Sequence, residues 1–180
     1  MSNNSSLTPE QAEWIQAQPL FFNATAPLSS TGHINLSPRG LDTLRIVDSG
    51  HIVILDLTGS GNETAAHLAE NGRVTLMFCA FEGKPRVLRV YGQGEVIRPR
   101  HPDWSNLRAL FLPELAGVRQ LFRLRVTRIK TSCGFGVPMM KFLRQRDDLL
   151  KWANDKGKEG LDRFQRKHNL RSLDDLPAPE

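Results

Sequence analysis

The chain of 180 residues contains no long uninterrupted apolar run. None of its runs approaches the roughly 18 apolar residues that indicate a membrane-spanning helix. The N-terminal stretch MSNNSSLTPEQ is polar, without the basic and then apolar segments of a secretory leader. We therefore expect a cytoplasmic protein that has no membrane partner.

Cysteine is also scarce, with only Cys79 and Cys133. Two isolated cysteines form neither a disulfide framework nor a metal-ligand spacing. The sequence predicts two free thiols in a reducing compartment and no metal site.

Acidic residues are few between positions 84 and 130, where eleven basic residues stand against three acidic ones. Residues 1–72 have the opposite balance, with two basic and seven acidic residues. This asymmetry indicates an anionic partner, or else a solvated basic strand face. The partner could be a nucleic acid, a membrane surface or a phosphorylated small molecule. Few aromatic residues lie among these arginines, and no nucleic-acid-binding motif is recognisable. Both observations disfavour a nucleic acid as the partner.

Runs of strand-forming residues, several alternating apolar with polar, predict a fold that is mainly β with some α. HIVILDL (51–57) is apolar for most of its length, which is typical of a strand buried on both faces. About six strands with antiparallel connections predict a small β-barrel with added helices. The strand patterns lie at 20–26, 33–37, 43–47, 51–57, 73–81, 86–97 and 118–130.

Short helices are predicted between and after the strands. The first covers 8–18, with Thr8 as N-cap and Pro9 at the first helical position. The second follows residue 57 and ends at Asn71-Gly72. Others are predicted at 103–111 with Asp103 as cap, at 139–155 and at 158–168, followed by the frayed tail DDLPAPE.

The turn GSGNET (59–64) has the composition of an anion-binding helix start. It is neither a Walker loop nor a dinucleotide fingerprint, because both spacings are absent. Thr58, Ser60, Asn62 and Thr64 could donate hydrogen bonds to a phosphate. The same residues could instead cap the helix locally, with Ser60 and Glu63 forming a capping box.

Four arginines could complete such an anion site. Arg39 lies in SPRGLD, and the other three lie on predicted strands. A guanidinium that points into a barrel mouth must find an anion or face water. Arg45, Arg86 and Arg89 could equally be solvated surface residues.

Three segments together resemble the pyridoxamine 5′-phosphate oxidase-related family of FMN-binding split β-barrels. They are HINLSPRGLDTLRIV, HIVILDLTGSGNETAAHLAENGRVTLMFCAF and PRVLRVYGQGEVI, and the likeness covers about residues 20–130. The tail from CGFGVPMMKF onward resembles a subgroup of small FMN-binding proteins rather than the vitamin-making oxidases.

The resemblance implies a six-stranded antiparallel split barrel at 20–131, preceded by a helical lead-in at 1–19 and followed by a helical extension at 132–180. It also implies that FMN lies across a homodimer interface. The implied phosphate and ribityl ligands are Arg39, Thr58, Ser60, Asn62 and Thr64. Arg86, Val87 and Arg89 are expected near the ring or the ribityl chain, and the backbone of Leu41, Asp42 and Leu57 near the isoalloxazine edge.

The chain also departs from the oxidases. Glu63 and Thr64 stand where the oxidases carry an Arg-Lys pair, and SCGFGVP has no counterpart of the Arg and His that hold pyridoxal phosphate. Flavin binding is therefore expected, whereas oxidation of vitamin B6 is in doubt.

The favoured function is an FMN-dependent oxidoreductase for which the sequence identifies no catalytic residue. His33, His67, Tyr91 and Cys133 are possible acids or bases, each with a structural alternative. A non-catalytic flavin or haem module, with His67 or His33 as axial ligand, is the alternative function.

A homodimer is expected for a second reason besides the resemblance. Two predicted strands carry apolar faces that need cover. Their residues are Val74, Leu76, Phe78, Phe122, Leu124 and Val126.

Overall fold

A computed structural model describes residues 5–179 as a curled β-sheet with four helices packed around it. The predicted lead-in 1–19 and the predicted tail therefore extend beyond the described residues, at positions 1–4 and 180. The strands are β1 (Phe21–Thr25), β2 (Asn35–Arg39), β3 (Leu44–Asp48), β4 (His51–Leu57), β5 (Arg73–Cys79), β6 (Val87–Ile97) and β7 (Val118–Ser132). The helices are α1 (Pro9–Gln16), α2 (Glu63–Asn71), α3 (Trp104–Arg108) and α4 (Asp148–His168).

The seven strands form one antiparallel sheet in the order β2-β1-β5-β6-β7-β4-β3. The fold is thus mainly β with α, as predicted, but with seven strands rather than six. The separate patterns at 33–37 and 43–47 both form strands, β2 and β3, which lie at opposite edges of the sheet. Gly40 to Thr43 connects these two edges.

The sheet curls until its two ends meet. Arg39 on β2 and Asp56 on β4 are five strand spacings apart in the sheet order, which is about 24 Å in a flat sheet. Their side chains nevertheless lie 2.8 Å apart. The twist of β-sheets permits this closure, and it brings residues that are distant in the sheet into one cluster.

The main core lies inside the curled sheet. The predicted apolar faces of β5 and β7 are buried there against α2, Leu7 and Ile15 of α1. No side chain of those faces is more than 5% exposed. The chain therefore covers them itself, so they give no reason to expect a dimer. Burial on this scale supplies most of the stability of a domain of this size.

A second apolar cluster lies on the outer face of β4. Val53, Leu55 and Leu57 pack there with Ile97 of β6 and Phe111, and the side chains of α3 and the first turn of α4 pack against them. The prediction that this strand is buried on both faces is confirmed.

The predicted ends of α1 and α2 are only partly confirmed. Thr8 caps α1 and forms a capping box with Gln11. Gly72, at φ 71°, ends α2 as predicted. At the start of α2, however, Asn62 is the N-cap residue and makes no side-chain capping bond. The predicted capping box of Ser60 and Glu63 is wrong, because α2 begins at Glu63 itself.

α3 is shorter than predicted and lacks the predicted cap. It spans five residues instead of 103–111, and the side chain of Asp103 makes no capping bond. That carboxylate accepts a hydrogen bond from Arg123 at 2.6 Å instead.

The C-terminal region departs most from the predictions. Residues 139–147 form no regular helix, and regular helix begins at Asp148. The backbone N–H groups of Met140 and Phe142 donate instead to the carbonyl of Phe81 and the carboxylate of Glu82. Gly157, at φ 60° and ψ 175°, then divides α4 into two helical pieces, close to the predicted division.

The predicted frayed tail is packed on the barrel. Asn169, Ser172 and Ala178 are buried, and Leu176 packs against the main core. An isolated bridge pairs Arg171 with Pro177. Apolar contacts and hydrogen bonds thus hold a segment whose composition is typical of a loose end.

Both cysteines are free thiols, as predicted. Cys79 is buried, and burial raises the pKa of its thiol. Within residues 5–179, no helix is long and apolar enough to cross a membrane.

Candidate functional site

Two connected cavities flank the link between β2 and β3. One has a volume of about 760 Å³ and the other of about 670 Å³. We call the pair the Arg39 groove, defined by the residues that line both cavities: Pro19, Arg39, Gly40, Leu41, Phe142 and Gln145. Three of the eleven predicted cofactor ligands, Arg39, Leu41 and Asp42, thus lie along one depression.

The larger cavity combines apolar walls with basic side chains. Phe22, Phe81 and Phe142 contribute aromatic surface, while Arg39 and Arg144 contribute positive charge. The volume and the mixed lining are typical of small-molecule sites.

A strained backbone forms the ridge between the cavities. Leu41 and Asp42 have φ values of 60° and 55°, in the left-handed region that side-chain-bearing residues seldom adopt. Both carboxylate oxygens of Asp42 accept hydrogen bonds from Arg45, at 2.7 and 2.8 Å, which helps to hold this turn. Gly40 allows Gln145 to pack against the ridge, because a Cβ there would lie 2.5 Å from Gln145 Oε1. Strained backbone of this kind is common at ligand sites.

A buried polar cluster lies next to the groove and centres on Asp56. This carboxylate is 1% exposed and accepts hydrogen bonds from Arg39, Arg119 and Gln120. Burial acts to raise its pKa, but the nearby guanidiniums of Arg119 and Arg39 hold the pKa of Asp56 below its ordinary value. Arg39 also donates through Nε to Asn23 Oδ1.

The sequence patterns did not predict a role for Asp56, Arg119, Gln120 or Asn23. One signal was present: Asp56 is a lone carboxylate within HIVILDL, and a carboxylate in a strand buried on both faces requires a positively charged or hydrogen-bonding partner.

The predicted phosphate turn is largely enclosed. Thr58, Asn62 and Thr64 are buried, and Ser60 is exposed. Thr64 Oγ1 accepts hydrogen bonds from Asn23 and Asn35 at 2.9 and 3.0 Å. The structure therefore places Thr58, Asn62 and Thr64 in the polar interior beneath the groove.

The C-terminal segment closes the turn from the outside. Gln165 donates to Thr58 Oγ1 at 2.8 Å, and Asn62 donates to the carbonyl of Asn169 at 2.9 Å. The side chain of Asn169 donates in turn to the carbonyl of Gly59. Arg119 donates to the carbonyl of Gly61 at 3.0 Å from the opposite side.

The three predicted ligands on β6 and its approach lie elsewhere. Arg86 pairs with Glu10 and stacks on Trp14, while Val87 is buried. Arg89 donates to Ser132, and Arg86, Val87 and Arg89 line neither cavity of the groove. Leu57 packs in the second apolar cluster together with Leu41.

The two histidines among the possible acid–base residues have structural partners, whereas Cys133 is exposed. His67 is 1% exposed, with Nδ1 3.0 Å from Thr25 Oγ1, and burial lowers its pKa. His33 is bound to Asp174, with Nδ1 and Oδ1 2.6 Å apart. Among the described residues, no group of three or more His, Cys, Asp and Glu could hold a metal ion.

Comparisons with known proteins agree with this architecture. The family model described as pyridoxamine 5′-phosphate oxidase matches residues 7–133. The pyridoxamine 5′-phosphate oxidase family protein ustO of Aspergillus flavus is 36% identical, over 96% of this chain and 76% of that protein.

Two solved structures share the fold. HupZ of Group A Streptococcus has a TM-score of 0.58 at 18% identity, over 75% of this chain and 99% of that one. The FAD binding protein of Mycobacterium smegmatis has a TM-score of 0.50 at 13% identity, over 71% of this chain and 96% of that one. The family model and the Aspergillus flavus relative together show that this chain belongs to the pyridoxamine 5′-phosphate oxidase family.

Proposed function

We propose that this chain binds FMN in the Arg39 groove and acts as a flavin-dependent oxidoreductase. The observation that carries the proposal is the groove itself. A cavity of about 760 Å³ with three phenylalanine walls and flanking cations suits a flat aromatic ring with an anionic tail. Family membership supports the same ligand class, and one protein of the same fold is described as FAD binding.

The proposed orientation follows from the lining residues. Leu41 and Asp42 would hold the ring, and Arg39 would lie beside the tail. The flavin supplies the hydride-transfer chemistry. The chain orients it with the ridge and excludes water with Phe22, Phe81 and Phe142. A substrate stacks on the open side of the ring, and a second copy of the chain completes the site.

The alternatives find less support. A haem module needs an accessible axial histidine, whereas the ring of His67 is buried and that of His33 is paired with Asp174. In the basic segment, Arg119, Arg123 and Arg86 are paired with carboxylates, which leaves fewer cations for a nucleic-acid surface.

The test is a visible absorbance spectrum of the purified protein after incubation with FMN and gel filtration. Flavin bands that elute with the protein are expected, and a Soret band would indicate haem instead. Phe142 lines both cavities and is 49% exposed, so we expect Phe142→Asp to weaken FMN binding at least about tenfold. Phe135→Asp is the matched control, because Phe135 is 81% exposed and lines neither cavity. Equal binding by both variants would exclude the groove.

A further inference from the structure

Asp56 is surrounded in the way that a bound anion would be. Arg39 Nη1 donates to Oδ1 at 2.8 Å. Arg119 Nε and Nη2 donate to Oδ2 at 3.0 and 2.8 Å, and Gln120 Nε2 donates to the same oxygen at 2.7 Å. Four hydrogen bonds, three of them from guanidiniums, thus converge on one carboxylate. Bidentate arginine contacts of this kind are also the usual way that proteins hold phosphate.

The cluster has a formal excess of one positive charge, and neutral acceptors take up two of the remaining donors. Arg119 Nη1 donates to the carbonyl of Gly61, and Arg39 Nε donates to Asn23. Arg39 also lies over the ring of Phe122, 5.4 Å from its centroid. Arg119 and Arg39 are 4% and 16% exposed, so protein groups rather than solvent balance their charges.

The turn at 58–64, which was also expected to bind the phosphate, is likewise occupied by other side chains and carbonyls of this chain. Asn62 bonds to Asn169 and Gln120, and Thr58 bonds to Gln165 and Gly117. These bonds enclose the turn before α2 between β7 and the C-terminal segment. A phosphate at this point would have to displace them.

We propose that Asp56 is an internal counter-ion that takes the place of the flavin phosphate, so that this chain binds a flavin without requiring its phosphate. The proposal rests on the proposed function for the identity of the ligand. Under this proposal, Asp56 is the residue that determines whether the protein distinguishes FMN from riboflavin. Riboflavin, which has an uncharged tail, then binds about as tightly as FMN.

The physical reason is competition for the same donors. The buried carboxylate of Asp56 offsets part of the attraction that Arg39 and Arg119 would exert on a phosphate, and this effect is weakly screened in the interior. A phosphate would also have to compete with Asp56 for the donors of Arg39. It would also gain only those guanidinium donors that Asp56 does not already use. The affinity then comes from the ring and the ribityl chain.

The first experiment compares riboflavin and FMN on the wild-type protein by fluorescence titration. We expect dissociation constants that agree within about threefold. An advantage of about tenfold or more for FMN would overturn the proposal.

The second experiment measures thermal unfolding with inorganic phosphate and no flavin. The wild type is expected to gain no more from phosphate than from chloride at equal ionic strength. Asp56→Asn leaves two buried guanidiniums without a counter-ion, so its melting temperature should fall and phosphate should restore it specifically. The control Glu95→Gln removes the exposed partner of Arg123 and should show no specific phosphate effect.

The two experiments separate the two proposals. If neither flavin binds, the proposed function fails, while the unfolding measurements still decide the role of Asp56. If Asp56→Asn does not fold even with phosphate, the melting temperature of the wild type decides. Specific stabilisation of the wild type by phosphate overturns the proposal, and the absence of such stabilisation supports it.

Discussion

At the scale of the residue, two buried titratable side chains control how stability depends on pH. Asp56 is held ionised by two guanidiniums, and His67 is held neutral by burial. Asp56, on β4, contacts residues of two other strands, because Arg39 lies on β2 and both Arg119 and Gln120 lie on β7. A change in the charge of Asp56 therefore alters hydrogen bonds to both β2 and β7 of the closed sheet.

The stability of the protein should fall in two stages on acidification. The pKa of His67 is lower in the folded state, so the unfolded state takes up a proton first, and stability decreases as the pH falls below about 6.5. The pKa of Asp56 is also lowered, so its contribution is complete above about pH 3.9 and is lost as the pH falls further. Urea unfolding between pH 8 and pH 3, in steps of about one unit, measures both stages.

His67→Gln and Asp174→Asn serve as comparison variants for that experiment. The first should remove the loss near pH 6.5. The second removes a partly buried carboxylate whose pKa is lowered by its hydrogen bond with His33, so it should keep the loss near pH 6.5 and reduce the loss at acid pH only in part. A free energy of unfolding that stays constant from pH 8 to pH 3 would contradict the argument.

At the scale of the element, α4 shows how one backbone conformation sets the path of the chain. Gly157 adopts φ 60° and ψ 175° between two helical pieces. The second piece then delivers Gln165 and Asn169 to the turn before α2. The bend is therefore what allows the C-terminal segment to enclose that turn.

We expect Gly157→Ala to destabilise the protein by about 1–3 kcal/mol, because only glycine adopts this conformation without strain. Gly160→Ala, three residues further along the same helix, is the matched control and should be neutral or stabilising by up to about 1 kcal/mol. Its new Cβ would meet only the flexible Lys156 side chain, at 3.3 Å. Denaturant unfolding measures both variants, and equal effects would show that the bend is unimportant.

At the scale of the whole molecule, one edge of the sheet has the properties of a contact between copies. β2 pairs with β1 on one side only, and Leu36 on β2 is 62% exposed. Ile34, directly before β2, is 76% exposed. Monomeric proteins usually protect such an apolar edge with charge or proline, and β2 carries Pro38 and Arg39 only at its end. Arg39 lies at the end of the same strand and also lines the groove, so this edge adjoins the groove.

The proposed homodimer should therefore depend on β2. Light scattering on a sizing column should give twice the 20.3 kDa mass of the chain. Ile34→Lys combined with Leu36→Lys should yield a monomer, because buried charges at an interface are costly. Leu173→Lys, at a residue 73% exposed in the C-terminal segment, should remain dimeric. A monomeric wild type would exclude the dimer.

The local features of this protein were predictable from its sequence because neighbouring residues determine them. Thr8 and Pro9 start α1, Gly72 ends α2, and the alternation in β7 separates its buried face from its basic one. The likeness to the family likewise depends on the order of local motifs, and the family model confirms it. The prediction placed Arg39, Leu41 and Asp42 in one site, and the structure brings them together along the groove.

The remaining features depend on contacts between residues that are far apart in the chain. No local pattern pairs Arg39 with Asp56 or brings Asn169 to Gly59, since these contacts arise only when the sheet curls and α4 bends at Gly157. The sequence alone thus determined the strands, the start of α1, the end of α2 and the family. The tertiary structure decided which charges balance one another, because in a low-dielectric interior a charge must be matched by whatever partner the closed fold brings near.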